Sequence, residues 1–374
     1  MSIRSLRKSR IKNVFIILVI IGAVVFYNYD TLNAPIEENA ISFGIGVDIE
    51  KTLKENANYR ITYNIYKFSQ DKVYSYNRIA EASTIGENRQ DRQLKIDRSY
   101  TADIERMLII SEDMGAYGID SLVNIFLNNP RLNDKGLIVV CKGKAEDIIK
   151  FKVEALPSSA EYIEGIVKES IYYNFYSENY TFLDLFTQLT SEGENIVLPY
   201  VEIRNNKIEI SGVALFKREK LVQIIDIYES KIMNVLREDK TRGVFSLKRG
   251  EQKYVDYNSR VKKKVKCYKD QDKYNFIIDL NVTGNITSNT LYEELNKKSI
   301  KNFEEDMAKE IEEKCNAFIK KMQKQYKVDC LELGSVAAAK FGRDSGVDWN
   351  EVVSKSSIKV RAKVKVDNVG RGQY

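Results

Sequence analysis

GLIVVCKGKAEDIIKF, residues 136–151, sets the fold class. Its first six residues are apolar, β-branched and uncharged, the composition of a strand covered on both faces. Residues 144–151 then take helical spacing. A strand running into a helix is the repeating unit of layered α/β structure. Gly143 stands at the junction, but a phosphate loop needs more glycines than Lys142-Gly143-Lys144 supplies.

Upstream, Ile104, Met107, Leu108, Ile110 and Met114 recur at helical spacing and predict a helix over 101–117, ended by Gly115 and Gly118. A second short helix over 122–127 is broken by Asn128-Asn129-Pro130. The polar stretch 81–97, with Gly86 and many charges, predicts an exposed loop. ISFGIGVDI (41–49) and YRITYNIYKF (59–68) alternate apolar and polar residues and predict two early strands, with a turn at 56–58.

Downstream, helical patterns cover 160–173 and 182–189. Asn205-Asn206 between two alternating runs, 197–204 and 207–216, predicts a tight hairpin, because Asn tolerates positive φ. Residues 221–227 extend that sheet, with helix toward Arg237, and 242–250 reads as a glycine-bounded strand or loop at a boundary. Strands follow over 259–268 and 274–286, joined by a turn at 269–272. Residues 291–326 then run without Gly or Pro. Leu295, Phe303, Met307, Ile311, Cys315, Phe318, Met322 and Tyr326 form the stripe of an amphipathic helix packed on a sheet. IKVRAKVKV (358–366) is a strictly alternating strand.

The N-terminus has its own logic. The run 14–27, VFIILVIIGAVVFY, is uncharged, and Arg4, Arg7, Lys8, Arg10 and Lys12 precede it with no acid among them. Its fourteen residues match a signal-peptide core and fall short of the roughly 17–25 of a spanning helix. Counted from 11 to 29, the helix reaches roughly 28 Å, with Lys12 snorkelling to one interface and Tyr27 and Tyr29 in the other. No small-x-small cleavage site follows in YNYDTLNAP (27–35), and no cysteine follows the run to take a lipid. The reading favours an uncleaved anchor over a removed signal. Its residues are Val14, Phe15, Ile16, Ile17, Leu18, Val19, Ile20, Ile21, Val24, Val25, Phe26 and Tyr27. The basic tail 1–13 is then cytoplasmic, and everything from about residue 30 lies outside.

The expected class is thus α+β: a multi-domain ectodomain of mixed sheets with packed helices, preceded by one N-terminal transmembrane helix. The expected divisions are a tether over 30–40, an N-terminal α/β domain over 41–195, a middle hairpin region over 196–250 and a C-terminal α+β domain over 251–374.

Composition narrows function. Without the five tail cations, 54 basic residues face 53 acidic ones (59 − 5 against 53), so a nucleic-acid partner has no global support. The chain has no histidine, which removes Ser-His-Asp and Cys-His catalysis and the commonest metal ligand. Cys141, Cys267, Cys315 and Cys330 show no CxxC spacing, and a Cys315–Cys330 bridge stays open. No cofactor is expected. Glu304-Glu305-Asp306 and Glu310, Glu312 and Glu313 lie off the apolar stripe and read as a solvated helix face. More pointed is the strand 358–366, where Lys359, Arg361, Lys363 and Lys365 share one side. With Lys262, Lys263, Lys264 and Lys266 on a neighbouring strand they would make a patch for anionic lipid or an acidic partner. The competing reading is that lysines guard a sheet edge.

GIGVDIE (44–50), DIERMLIISEDMGAYGI (103–119), GLIVVCKGKAEDII (136–149), VLPYVEI (197–203), EISGVALFKREKLV (209–222) and Asp348-Trp349 follow one another in an order that resembles the Ger(x)C family, the C subunits of nutrient germinant receptors in spore-forming bacteria. The resemblance runs from about Gly44 to the end. It implies a non-catalytic multi-domain α+β protein on the outer face of the spore inner membrane, acting with receptor A and B subunits. Members are typically lipoproteins, so the missing cysteine is a departure that leaves the helix to anchor this chain. The alternatives are an extracytoplasmic solute-binding or adaptor protein and, against the missing histidine and nucleophile motif, a cell-wall hydrolase.

Overall fold

The computed structural model describes residues 3–30, 39–51, 57–68, 72–101, 105–129, 132–271, 273–343 and 346–369. Most of the expected tether lies outside them. The chain begins with helix α1 (Ile3–Asp30), whose described side chains, 13–26, are exposed.

An antiparallel ribbon follows: β1 (Asn39–Lys51), β2 (Ala57–Phe68) and β3 (Val73–Ala82), then α2 (Ile85–Gln93) and the short β4 (Ser99–Thr101). The layered centre comprises β5 (Met107–Ser111), α3 (Glu112–Tyr117), α4 (Asp120–Leu127), β6 (Leu137–Cys141), α5 (Ala145–Lys150), α6 (Ser159–Tyr173) and α7 (Phe182–Thr190). β7 (Val197–Arg204), β8 (Lys207–Lys217) and β9 (Lys220–Asp226) complete a nine-stranded sheet of order β3-β2-β1-β5-β6-β7-β8-β9, with β4 beside β1. Its middle strands are parallel and its flanks antiparallel. Helix α8 (Ile227–Arg237) leads to a four-stranded sheet made of β10 (Lys240–Lys248), β11 (Tyr254–Asp270), β12 (Lys273–Asn289) and β13 (Ser357–Asn368) in that order. Between β12 and β13 lie α9 (Lys297–Lys321), α10 (Leu333–Phe341) and α11 (Trp349–Lys355).

The GLIVVC run is β6, every residue of it buried. Alternate residues serve opposite layers. Leu137, Val139 and Cys141 join one core with α5 and α6, while Ile138 and Val140 join another with α4. On the central strand β1, Gly44 and Gly46 let these layers close. A Cβ at Gly44 would sit 2.3 Å from Ala160 Cβ, and one at Gly46 would sit 3.0 Å from the Ala145 carbonyl oxygen. Two residues on, the Asp48 carboxylate accepts hydrogen bonds from Ala145 N–H (2.7 Å) and Glu146 N–H (2.9 Å), filling the N-terminus of α5. That carboxylate occupies the place a phosphate would take beside Gly143.

The helix expected over 101–117 is corrected. Met107–Ser111 is strand β5, buried throughout between β1 and β6, and only Glu112–Tyr117 is helical; Ile104 lies outside the described residues. A short apolar run fits a buried strand and a helix face equally well, and here two parallel neighbours decide it. The loop expected over 81–97 contains α2, capped by the Thr84 side chain. This polar helix is held by buried Asn88, whose amide donates to the Tyr59 and Ala80 carbonyls. The expected middle region 196–250 is shared out. Its hairpin strands extend the large sheet, and β10 starts the small one. All four cysteines are buried free thiols, so the Cys315–Cys330 bridge is not formed; burial pushes the Cys315 thiol up to about 12.

The long helix starts later than its unbroken pattern implied, at Lys297 with Asn296 as cap, and its last turn, Met322–Tyr326, is π-helical. Its stripe is as expected. Phe303, Met307, Ile311, Cys315 and Phe318 are buried in one core with Phe276, Ile278, Leu280, Val282, Val360 and Val364 of the small sheet.

A basic sheet face as candidate functional site

Strand alternation builds the site. Val360 and Val364 of β13 face α9, which leaves Lys359, Arg361, Lys363 and Lys365 exposed on the other side. The basic strand β11 is not its immediate neighbour, because β12 lies between them. The register nevertheless aligns their cations in rows. Lys240, Lys262, Asn281 and Lys363 form one row across four strands, and Arg242, Arg260, Thr283 and Lys365 form the next. Lys264 and Arg361 flank Asp279; Lys266 and Lys359 flank Ile277. Lys263 belongs to the opposite face. It is nearly buried, its ammonium donating to the Arg237 carbonyl, and desolvation holds its pKa below the usual lysine value.

Strand β12 contributes mainly neutral side chains to this face; its Asp279 stands between cations, and Asp367 of β13 lines a groove with Arg242 and Arg260. Asp279 pairs with Lys266 at 2.8 Å, and that hydrogen bond raises the lysine's pKa. Among the described residues, no ion pair involves Lys359, Arg361, Lys363, Lys365, Arg242 or Arg260. Like charges directly opposite one another, as Arg242 and Arg260 are, cost stability. At one end of the face, Tyr172 and Tyr173 of α6 line that open groove of about 540 Å³ together with Arg242, Arg260 and Asp367.

The edge beyond β13 is capped at two points by α9. Ala362 N–H donates to Glu312 and Val366 N–H donates to Glu304, both at 2.8 Å. Two acids that read as solvated thus each satisfy one outward N–H group of an edge strand, at Ala362 and Val366. Asp306 and Glu310 pair with Arg249, and Glu305 pairs with Lys301. Only the Lys301–Glu305 pair, four residues apart on the helix, had a local sequence signal; the contacts of α9 with β13 are set by the tertiary fold.

The expected anchor residues Val14 to Phe26 lie exposed along α1, and the side chain of Tyr27 is outside the described set. Among the described residues, no helix is long and apolar enough to cross a membrane, and no cluster of acids and cysteines could hold a metal ion.

Comparison with known proteins agrees with this architecture. The family described as "Spore germination protein N-terminal domain" matches residues 33–203, and "Spore germination B3/ GerAC like, C-terminal" matches residues 211–370. The chain is similar to spore germination protein GerQC of Bacillus cereus, at 24% identity over 71% of this chain and 74% of that one. It is also similar to spore germination protein YndF of Bacillus subtilis, at 21% identity over 90% and 91% of the two chains. The crystal structure of the GerBC protein shares the fold, with a TM-score of 0.58 at 16% identity over 88% of this chain and 99% of that one. The chain belongs to the GerAC-like family of spore germination proteins.

Proposed function

We propose that the chain is the non-catalytic, membrane-tethered subunit of a nutrient germinant receptor. It is held at the spore inner membrane by α1, with its N-terminus cytoplasmic, and docks an acidic surface of the A or B subunit through the basic outer face of the small sheet. The observation that carries the docking is the row of cations, without ion pairs among the described residues, on a strand whose edge N–H groups at Ala362 and Val366 are met by Glu312 and Glu304. Four like charges on one strand face repel one another, and an acidic partner offsets that repulsion.

The alternatives have less support. Of the α9 carboxylates that a wall hydrolase would draw on, Glu304, Glu305, Asp306, Glu310 and Glu312 are engaged with backbone, Arg249 or Lys301. A two-lobed solute-binding protein needs similar halves, whereas these sheets have nine and four strands.

The test is co-purification of the tagged full chain from spore membranes, with and without charge reversal at Lys359 and Lys363. Receptor subunits should accompany the wild-type chain and be lost from the Lys359→Glu/Lys363→Glu variant at an unchanged unfolding temperature. Undiminished co-purification of the variant overturns the docking face.

A further inference from the structure

Among the described residues, the far end of the β1–β2–β3 ribbon carries apolar side chains that stay exposed, Phe68 meeting only the edge of the Tyr66 ring at 6.2 Å. Phe68 is 50% exposed, Val73 43% and Tyr74 53%. Phe68 pairs with Val73 and Lys67 with Tyr74, so the hairpin shows apolar groups on both faces, with Lys67 and Lys72 exposed beside them. Leu156, also exposed, lies alongside, since Ser75 Oγ donates to the carbonyl of the adjoining Pro157.

The position of this tip is constrained. Ile41 of β1 pairs with Tyr66, and continuing that antiparallel register sets Phe68 level with Asn39, the first residue of the strand. Strand β5 joins β1 only from Gly44 onward, and level with Asn39–Ile41 the neighbour of β1 on that side is the short β4, so the tip lies at the β4 end of the sheet. From Asp30, the end of α1, to Asn39 is nine residue steps, a reach of at most roughly 30 Å at about 3.3–3.6 Å each. The edge that carries Phe68 is therefore tied close to the end of the apolar helix.

We propose that the β2–β3 hairpin tip is a second membrane contact, lying in the headgroup region of an anionic bilayer with Phe68, Val73 and Tyr74 inserted and Lys67 and Lys72 against lipid phosphates. This rests on the reading of α1 as an anchor. Aromatic rings with a polar end favour that interface, and flanking lysines add attraction to anionic lipid. Two contacts, a helix and a hairpin, fix the tilt of the ectodomain where a helix alone leaves it free to swing.

The experiment places single tryptophan reporters in the full chain, reconstituted in vesicles of phosphatidylcholine and phosphatidylglycerol with brominated acyl chains. The native Trp349, 5% exposed, gives a constant background. Phe15→Trp reports on the anchor, Phe68→Trp and Tyr74→Trp on the tip, and Tyr228→Trp, at a site 78% exposed on α8, on bulk solvent. The expected result is a blue shift and loss of emission at Phe15→Trp and at both tip reporters, with Tyr228→Trp unchanged. Loss at Phe15→Trp with tip reporters that behave like Tyr228→Trp overturns the hairpin contact and leaves the anchor standing. No loss at Phe15→Trp overturns the anchor, and the hairpin proposal with it. Equal loss at the tip and at Tyr228→Trp also overturns the proposal, because the contact is then not local to the hairpin.

Discussion

Glu312 Oε1 accepts a hydrogen bond from the Ala362 N–H at 2.8 Å, so a helix side chain takes the place of the strand missing beyond β13. Glu304 does the same for Val366, two helical turns earlier on α9. Replacing both by alanine should cost about 1–3 kcal/mol for each N–H left without its partner. It should also bring concentration-dependent self-association, since an unpaired edge recruits further strands. Glutamine keeps the acceptor oxygen and should preserve most of the stability. Chemical unfolding and sedimentation velocity read the two effects separately.

The stripe of α9 makes a simpler prediction. Ile311 is 1% exposed within the core shared with β12 and β13. Ile311→Ala should cost about 2–5 kcal/mol in equilibrium unfolding. A loss under about 0.5 kcal/mol, the range of surface sites, would remove the helix from that core.

Close approach at Gly44 gives a test with a built-in rescue. Gly44→Ala sets two methyl groups 2.3 Å apart and should destabilise by about 1–3 kcal/mol. Adding Ala160→Gly removes the obstructing methyl and should recover much of that loss, less about 1 kcal/mol for a glycine in a helix. Thermal unfolding of the two single variants and the double variant closes the cycle.

Two buried carboxylates give opposite pH dependences. Hydrogen bonds from Arg60, with Lys150 assisting, hold Glu146 at about 2 against an ordinary 4.5. Its folded pKa is depressed, so its contribution is present above pH 4.5 and is lost as pH falls through about 2. Arg60→Met should therefore flatten the acid limb of stability. Asp329 is pushed by burial from 3.8 up to about 6, although Leu331 and Gly334 N–H groups donate to it. Its contribution is full below pH 3.8 and is lost as pH rises through about 6. Asp329→Asn should remove that decline from unfolding free energies measured over this range.

Local chemistry made much of this fold readable. Asn205 and Asn206 do sit at positive φ, 50° and 57°, and turn β7 into β8 as their residue type predicts. The α9 stripe and the alternation of β13 were equally legible, because each concerns one element and its two sides. Reading failed where the partner decides. Met107 and Leu108 suit a helix face until β1 and β6 enclose them. Asn88 holds α2 through carbonyls of β2 and β3, which the polar sequence around it does not announce. At the basic face, the four cations of β13 were visible in advance. Their alignment with Arg242, Arg260 and Lys262 depends on a register set by β12.

Parallel pairing of β12 with β13 has a consequence for how the molecule is made. Phe276 pairs with Cys267 of β11 on one side, but its neighbour on the other is Ile358, on the far side of three helices. A chain that emerges N-terminus first therefore carries a half-covered β12 and an α9 without its edge strand until the final residues are released. Such long-range closure is slow and leaves apolar surface open meanwhile. Strand β13 thus marks completion: chains cut short before residue 357 keep Glu304, Glu312 and the α9 stripe without their strand.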